Sequence, residues 1–494
     1  MHSSSNEAAS DHSGAVLHVW RTATITNIDV PTPHATHIPN MPTPATHSSS
    51  AASAKPAKPA KPAEHGSRYR YVVLAMLVLS YTFNFLDRQI LGILKEPIKQ
   101  ELGLTDTQLG LMGGLAFAML YSTLAVPIAW LADRISRSWI MTGALGLWSA
   151  FTMACGLATG FWSLFLARVG VGFGEAGGVA PAYSLVSDYF PRAQRARALA
   201  AYSFGIPVGS ALGILFGGLI AASMSWRVAF VIVGGAGVLF APIFKLVVKD
   251  PVRGGLDGAT AKTPSIAPSI APLIAPLIAP PFSTVVATVL PKPTFWLLAL
   301  GAASASVCGY GVAFWLPSFF IRSLGLTLVE TSWFYGGITL IGGVAGIWLG
   351  GVVADRFAKK NRAAYALTPA VCFLVALPFA YAAMNATSLV WAFLLFLVPT
   401  GLNLAWLGPV VGAVQQLAPA NMRTTTSALF LLVNNLLGIA VGLWIFGYLS
   451  DLLAPRYGTE SMRYALYCAA GLYVLASLLL WLASRRLAVD WVDG

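Results

Sequence analysis

Twelve apolar runs, each long enough to cross about 30 Å of hydrocarbon as a helix, constrain this chain more than any other feature. They lie at approximately 71–94, 109–132, 139–160, 162–187, 198–222, 227–248, 294–320, 332–354, 364–384, 388–413, 427–450 and 462–484. Inside a bilayer no water is present to bond exposed backbone, so such runs cross as α-helices. Composition agrees: 56% of the residues are hydrophobic and 10% charged, where an average soluble chain carries about 25% charge. The expected fold is an all-α membrane protein of twelve transmembrane helices in two six-helix pseudo-repeats.

The basic residues orient these helices. With the N-terminus inside, 22 of the 31 lysines and arginines fall on the cytoplasmic side and 6 on the other, so the positive-inside rule places both termini in the cytoplasm. The net charge of +12 is spread in short patches between apolar runs, which argues for membrane topology and against nucleic acid. Cys155, Cys308, Cys372 and Cys468 sit in apolar segments without paired spacing, so neither a disulfide framework nor a metal site is expected. All seven histidines lie in residues 1–66, a Ser/Pro/Ala-rich stretch with the repeat "KPAKPAKPA" that is expected to be a disordered cytoplasmic tail. It lacks the apolar core and cleavage site of a signal peptide.

Domain organisation follows: the tail, a six-helix bundle at 67–250, a cytoplasmic linker at 251–292 containing "PSIAPSIAPLIAPLIAPP", and a second bundle at 293–494 ending in a short cytoplasmic tail. Proline at that density cannot continue a helix. The two bundles repeat each other. "WLADRISR" after the second run is echoed by "VVADRFAK" after the eighth, and "PRAQRARAL" by "PANMRTTTSAL". Duplicated halves place a substrate site between them near the midplane, reached alternately from each side.

Ala129–Arg137 and Gly351–Lys359 resemble the G-x-x-x-D-R-x-G-R loop signature of the major facilitator superfamily, although Ala129 and Ser136 replace its glycines in the first copy. Within that superfamily, "NFLDRQ", "GLTDTQLGLMGGLAF" and "FLARVGVGFGEAGGVAPAYSLVSDYFPRAQRARALA" resemble the spinster branch over roughly 70–490. The resemblance implies the major facilitator fold and transport of lysolipids or sphingoid phosphates. "N-x-x-D-R" and "G-E-A-G-x-x-P" also occur in symporters of sugar acids and other organic anions.

Charges inside hydrocarbon are rare and functional by default. Of the 19 carboxylates only Asp87 and Glu175 fall well inside runs, joined by Arg88 and Arg168. Counted by helical rise, Asp87 is about 12 Å and Arg168 about 9 Å from the outer ends of their helices, level enough to pair. Glu175, seven residues on, returns to the same face about 10 Å deeper, near the midplane. The expectation is proton coupling through Asp87, Glu175 and Arg168, with the guanidinium changing partner; the alternative is a static ion pair fixing two helices. Arg88 is the natural anchor for a carboxylate or phosphate head group, with Asn84 one turn away. Polar groups in the second half are sparse, and Tyr310, Asn403 and Asn434 are the candidates to face substrate across an apolar wall.

Asp133, Arg134, Arg137, Asp355 and Arg356 resemble the family's inner-gate residues, with Arg195 and Arg197 as candidate partners. "GFGEAG" at Gly172–Gly177 matches a dinucleotide-binding pattern but lies inside a membrane run with no strand before it. Its glycines are expected to permit close helix contact. No ATPase element is present. The expected function is a secondary transporter, not an enzyme, without cofactor or metal. It is expected to work by alternating access and to move an amphiphilic anion such as a lysophospholipid or sphingoid phosphate, coupled to protons. A proton-coupled symporter of a small organic anion is the alternative. It is expected to be a monomer in the cytoplasmic (inner) membrane, partnered by membrane lipids and its lipid or organic-anion substrate.

Overall fold

A computed structural model of the chain describes residues 68–132, 134–251, 282–358, 362–404, 406–419 and 422–492, without side chains at 192, 193, 196, 349–358, 407, 424, 469 and 470. The N-terminal tail, most of the linker and Asp133 therefore lie outside the described residues.

All described secondary structure is helical and forms twelve rods, with the short segments Phe282–Val289 and Gly458–Glu460 between them. In the first half these are span 1 (Tyr69–Leu102), span 2 (Asp106–Gly113 with Leu115–Ala132), span 3 (Arg137–Cys155), span 4 (Phe161–Glu175 with Val179–Tyr189), span 5 (Arg192–Ser203 with Gly205–Ser223) and span 6 (Trp226–Val247). In the second half they are span 7 (Pro293–Arg322), span 8 (Leu328–Ala358), span 9 (Ala364–Met384), span 10 (Leu389–Leu402 with Leu407–Gln415), span 11 (Arg423–Asn435 running through Leu436–Val441 into Gly442–Tyr457) and span 12 (Ser461–Asp490). By length and composition alone, seven helical stretches among the described residues are apolar enough to cross a membrane, the last of them being Thr425–Asp490. Large side chains such as Trp162, Leu239, Trp391 and Val390 stand exposed around the bundle, as a hydrocarbon surround requires.

Span 1 runs eight residues beyond its expected end because Lys95 and Glu96 are enclosed by the second half instead of facing water. It stops at Gly103, whose φ of 62° is a left-handed conformation that glycine adopts without penalty. Thr105 then caps span 2 in a reciprocal box with Gln108, supplying partners for the first free amides. Several expected continuous rods are broken in their middles: span 4 at Ala176–Gly178, span 5 at Phe204, span 10 at Asn403. Span 11 holds a π-helical segment at Leu436–Val441, a geometry associated with functional sites. The end of the stretch expected to be linker is helical, Phe282–Val289, because Val285 and Val289 bury into the second half's core.

The halves meet along span 5 with span 8 and along span 2 with span 11. Gly218 lies so close to Ser332 of span 8 that an added Cβ would collide with its hydroxyl, which lets the two backbones approach.

Candidate functional site

Asp87 and Arg88 are consecutive on span 1, so their side chains leave the helix about 100° apart. Arg88 turns toward spans 2 and 4. Its Nε donates to Glu175 Oε2 at 2.7 Å, and its guanidinium lies 4.6 Å from the Tyr121 ring centre, 4.7 Å from Phe117 and 5.1 Å from Phe85. Asp87 turns toward span 3, where Thr152 and Trp148 flank it without completing a hydrogen bond. Arg168 stands near Asp87 but forms no ion pair with it among the described residues, and its Nε and Nη1 are buried without a protein acceptor. Phe117 lies between the two cations, 5.5 Å from Arg168 and 4.7 Å from Arg88.

This corrects the expected pairing. Glu175, and not Asp87, is the engaged acid, and Arg88, expected to be the open anchor, is its partner. Depth along a helix locates a charge but says nothing of its azimuth. Asn84 is buried on the same span with its Oδ1 unpartnered. Glu175 is the last residue of its helical segment, and Gly172, three residues earlier, has Phe117 backbone where a Cβ would be. The glycines of "GFGEAG" therefore bring span 4 against its neighbours, Gly172 against span 2 and Gly174 and Gly177 against Trp148 and Ala144 of span 3, as a helix-contact role requires.

One cavity adjoins this cluster, and a second shares a wall residue with it. The first, ≈ 510 Å³, is lined by Arg88, Arg168, Gln89, Phe117 and Tyr310, and is closed toward span 11 by Ile439 and Leu443. The second, ≈ 680 Å³, lies in the second half among Val312, Leu316, Met384 and Phe396, with Asn403 and Tyr473 as its polar groups. Ala313 lines both. Of the second-half candidates, Tyr310 faces the charged cavity. Asn403 faces the apolar one and accepts from Tyr473 Oη at 3.0 Å. Asn434 faces neither; it is buried and accepts from Ser306 Oγ at 2.9 Å.

Sequence reasoning missed the corner where spans 1, 2, 7 and 11 end. Asp106 accepts from Lys99 at 2.6 Å, from both terminal nitrogens of Arg322 at 2.6 and 2.8 Å, and from Ser450 at 2.8 Å. Arg322 also pairs with Glu96 at 2.7 Å. Asp451 accepts from the Asp106 and Thr107 amides and the Thr107 hydroxyl. Among the described residues, the hydrogen bonds and ion pairs that join the two halves all converge here. Asp106 is the first residue of span 2, directly after the Thr105 cap, a position where an acid is already favoured by the helix end.

The gating candidates stand at the opposite end. Arg137 is buried and pairs with Asp188 of span 4 and Ser184, at 2.7 Å for the latter, within the first half and not across to the second. Arg134 is exposed, donates to the Trp130 carbonyl at 3.0 Å and lies 3.5 Å from the Trp130 ring centre. Arg195 donates to the Phe190 carbonyl at 3.0 Å, and Arg197 is exposed. Asp133 and the side chains of Asp355 and Arg356 lie outside the described residues. Just beyond span 6, Asp250 accepts from the Ser136 hydroxyl and from the Ser138 amide and hydroxyl at 3.1 and 2.8 Å. Burial pushes the Asp250 carboxyl up, but those hydrogen bonds and nearby Arg137 more than offset it and hold its pKa below the usual range.

The arrangement of two helical halves around a charged centre has counterparts among known proteins. The family model described as Major Facilitator Superfamily matches residues 77–443. The chain is 32% identical over 430 residues to an "MFS-type efflux pump" of Mycolicibacterium smegmatis, covering 87% of this chain and 96% of that one. It is 30% identical over 432 residues to "Protein spinster homolog 1" of Xenopus tropicalis, covering 82% and 79%. A crystal structure of a bacterial homolog to the human lysosomal transporter Spinster, in an inward-facing and unoccupied conformation, superposes with a TM-score of 0.75 at 29% identity, covering 87% of this chain and 100% of that one. The chain therefore belongs to the major facilitator superfamily, as a transporter of the spinster type.

Proposed function

We propose that the chain is a secondary active transporter of an amphiphilic anion, such as a lysophospholipid or sphingoid phosphate, driven by protons. The observation that supports it most is the pair of cavities sharing Ala313: guanidinium groups in the first, an apolar lining in the second. A one-headed lipid matches that division, because a guanidinium fork recognises phosphate or carboxylate while an acyl chain gains by leaving water. Glu175 is the proton-carrying acid. When it is protonated its hold on Arg88 weakens, Arg88 becomes available to the head group, and the two ligands compete for one cation. Both termini are cytoplasmic, so the Asp106 corner faces outward and is the closed side. This is the state from which an inner cavity loads.

The test is uptake into proteoliposomes under an imposed pH gradient, with 18:1 lysophosphatidylglycerol and a sugar acid, glucarate, as alternative substrates. Gradient-dependent movement of the lysolipid alone is expected. Movement of glucarate alone would establish the small-anion symporter instead.

A further inference from the structure

Arg88, Lys95 and Lys99 form a line of cations on one face of span 1. At 100° per residue they lie within about 40° of one another, and Lys95 and Lys99 stand about 10 and 16 Å along the helix from Arg88, toward the Asp106 corner. Arg88 is paired with Glu175 and Lys99 with Asp106. Lys95 is different. It is completely buried, its Nζ donates to the Gly92 carbonyl at 2.6 Å, and the ammonium faces the rings of Phe314 at 4.9 Å and Trp315 at 5.2 Å. No carboxylate forms an ion pair with it among the described residues, and the adjacent acid, Glu96, is taken by Arg322.

A buried ammonium held by one carbonyl and two ring faces is poorly compensated. A methionine would pack against Phe314 and Trp315 without that penalty, so packing alone does not account for a lysine. Its neighbours do. The Phe314 side chain lines the charged cavity together with Arg88, Arg168 and Tyr310, and Lys95 sits behind it on the way to the Asp106 corner. Trp315 is pinned to the Leu443 carbonyl of span 11 at 2.8 Å, so the two rings travel with the second half.

We propose that Lys95 is a second binding point for the anionic head group, exposed when Phe314 and Trp315 withdraw with the second half and the Asp106 corner opens. The inference rests on the amphiphilic-anion reading above. In it, the head group passes from Arg88 and Arg168 to Lys95, with Arg322 beyond, released from Glu96 and Asp106 by the same opening. The cation line keeps the anion accompanied across the seam.

The test uses full-length reconstituted protein and 18:1 lysophosphatidylglycerol as probe. Lys95→Gln should lower transport at least tenfold, leave probe binding to the purified protein within about twofold of wild type, and be rescued largely by Lys95→Arg. Spin labels at Thr159 and Arg456, on opposite halves, should report the same distance distribution without probe in wild type and in Lys95→Gln. Wild-type transport by Lys95→Gln, or a shifted label distance in the absence of probe, overturns the proposal and makes Lys95 a strut of the closed corner. Failure of the wild-type protein itself to move the probe removes the amphiphile reading, and this inference falls with it.

Discussion

Arg88 Nε donates to Glu175 Oε2 across 2.7 Å, while Asp87, its neighbour in sequence, points into a different helix interface. A buried ion pair of this kind is strongly destabilised when one partner is removed, because the other charge is left uncompensated. Glu175→Gln keeps the shape and loses the proton. It is expected to reduce gradient-driven flux at least tenfold and to abolish its dependence on the pH gradient, measured by lysolipid uptake into proteoliposomes. Retained gradient dependence would make the pair a packing element.

Arg168 makes the opposite case. Its buried Nε and Nη1 have no protein acceptor, so among the described residues truncation breaks no hydrogen bond or ion pair and removes only a through-space attraction to Asp87 and Glu175. Arg168→Ala is therefore expected to melt within a few degrees of wild type, yet to lose probe binding by roughly tenfold, about the worth of one charge-assisted hydrogen bond. Titration of the purified variant with lysophosphatidylglycerol checks it, and undiminished affinity would remove Arg168 from the head-group site.

The spans and the duplication were legible because hydropathy and charge patterning act over about twenty residues at a time. The four intramembrane charges were legible for the same reason: an ionised group stands out in an apolar run. Their pairing was not, since Asp87 and Arg88 differ by one residue in depth and by about 100° in direction. The Asp106 corner escaped because its members, Glu96, Lys99, Asp106, Arg322 and Asp451, are brought together by long-range contacts, while each alone reads as an ordinary charge at a helix end. The breaks at Ala176–Gly178 and Asn403 were likewise hidden, because apolar periodicity continues through them. Asn403 is accommodated by Gly309, where any Cβ would strike its side-chain amide, a relation between two spans that no local pattern carries.

Ala313 lines both cavities, so a large side chain there divides the site without touching a charge. Ala313→Phe is expected to cut transport of an 18-carbon lysolipid at least tenfold while a lysolipid of eight carbons is reduced less than threefold. The chain-length profile in proteoliposomes is the measurement. Equal loss at both lengths would show that the tail does not occupy the apolar cavity.

Asp250 ties the end of span 6 to the start of span 3 through Ser136 and Ser138. Its carboxyl pKa is lowered in the folded protein, so the group contributes stability above the ordinary carboxyl value of about 3.9, and that contribution is lost as the pH falls through the lowered one. Asp250→Asn should lower the melting temperature at pH 7 by about 1–2 °C, with the gap to wild type closing in strong acid. A gap independent of pH would assign the loss to shape and not to charge.

Asp106 of the first half holds the second half at one corner through Arg322 and Ser450, with Lys99 of its own half beside it, and hydrogen bonds to a charged group contribute about 1.5–3 kcal/mol each. Asp106→Asn removes the charge that Lys99 and Arg322 share. Even one such bond, at about 1.4 kcal/mol per factor of ten, shifts the ratio of closed to open forms at least tenfold. The change is expected only in states where this corner is closed, because an open corner has nothing to lose. Labelling of a cysteine placed at Gln89, which lines the charged cavity, by a membrane-impermeant reagent added from the Asp106 side should therefore accelerate about tenfold in Asp106→Asn. An unchanged labelling rate would mean that span 5 against span 8, and not this corner, holds the two halves together.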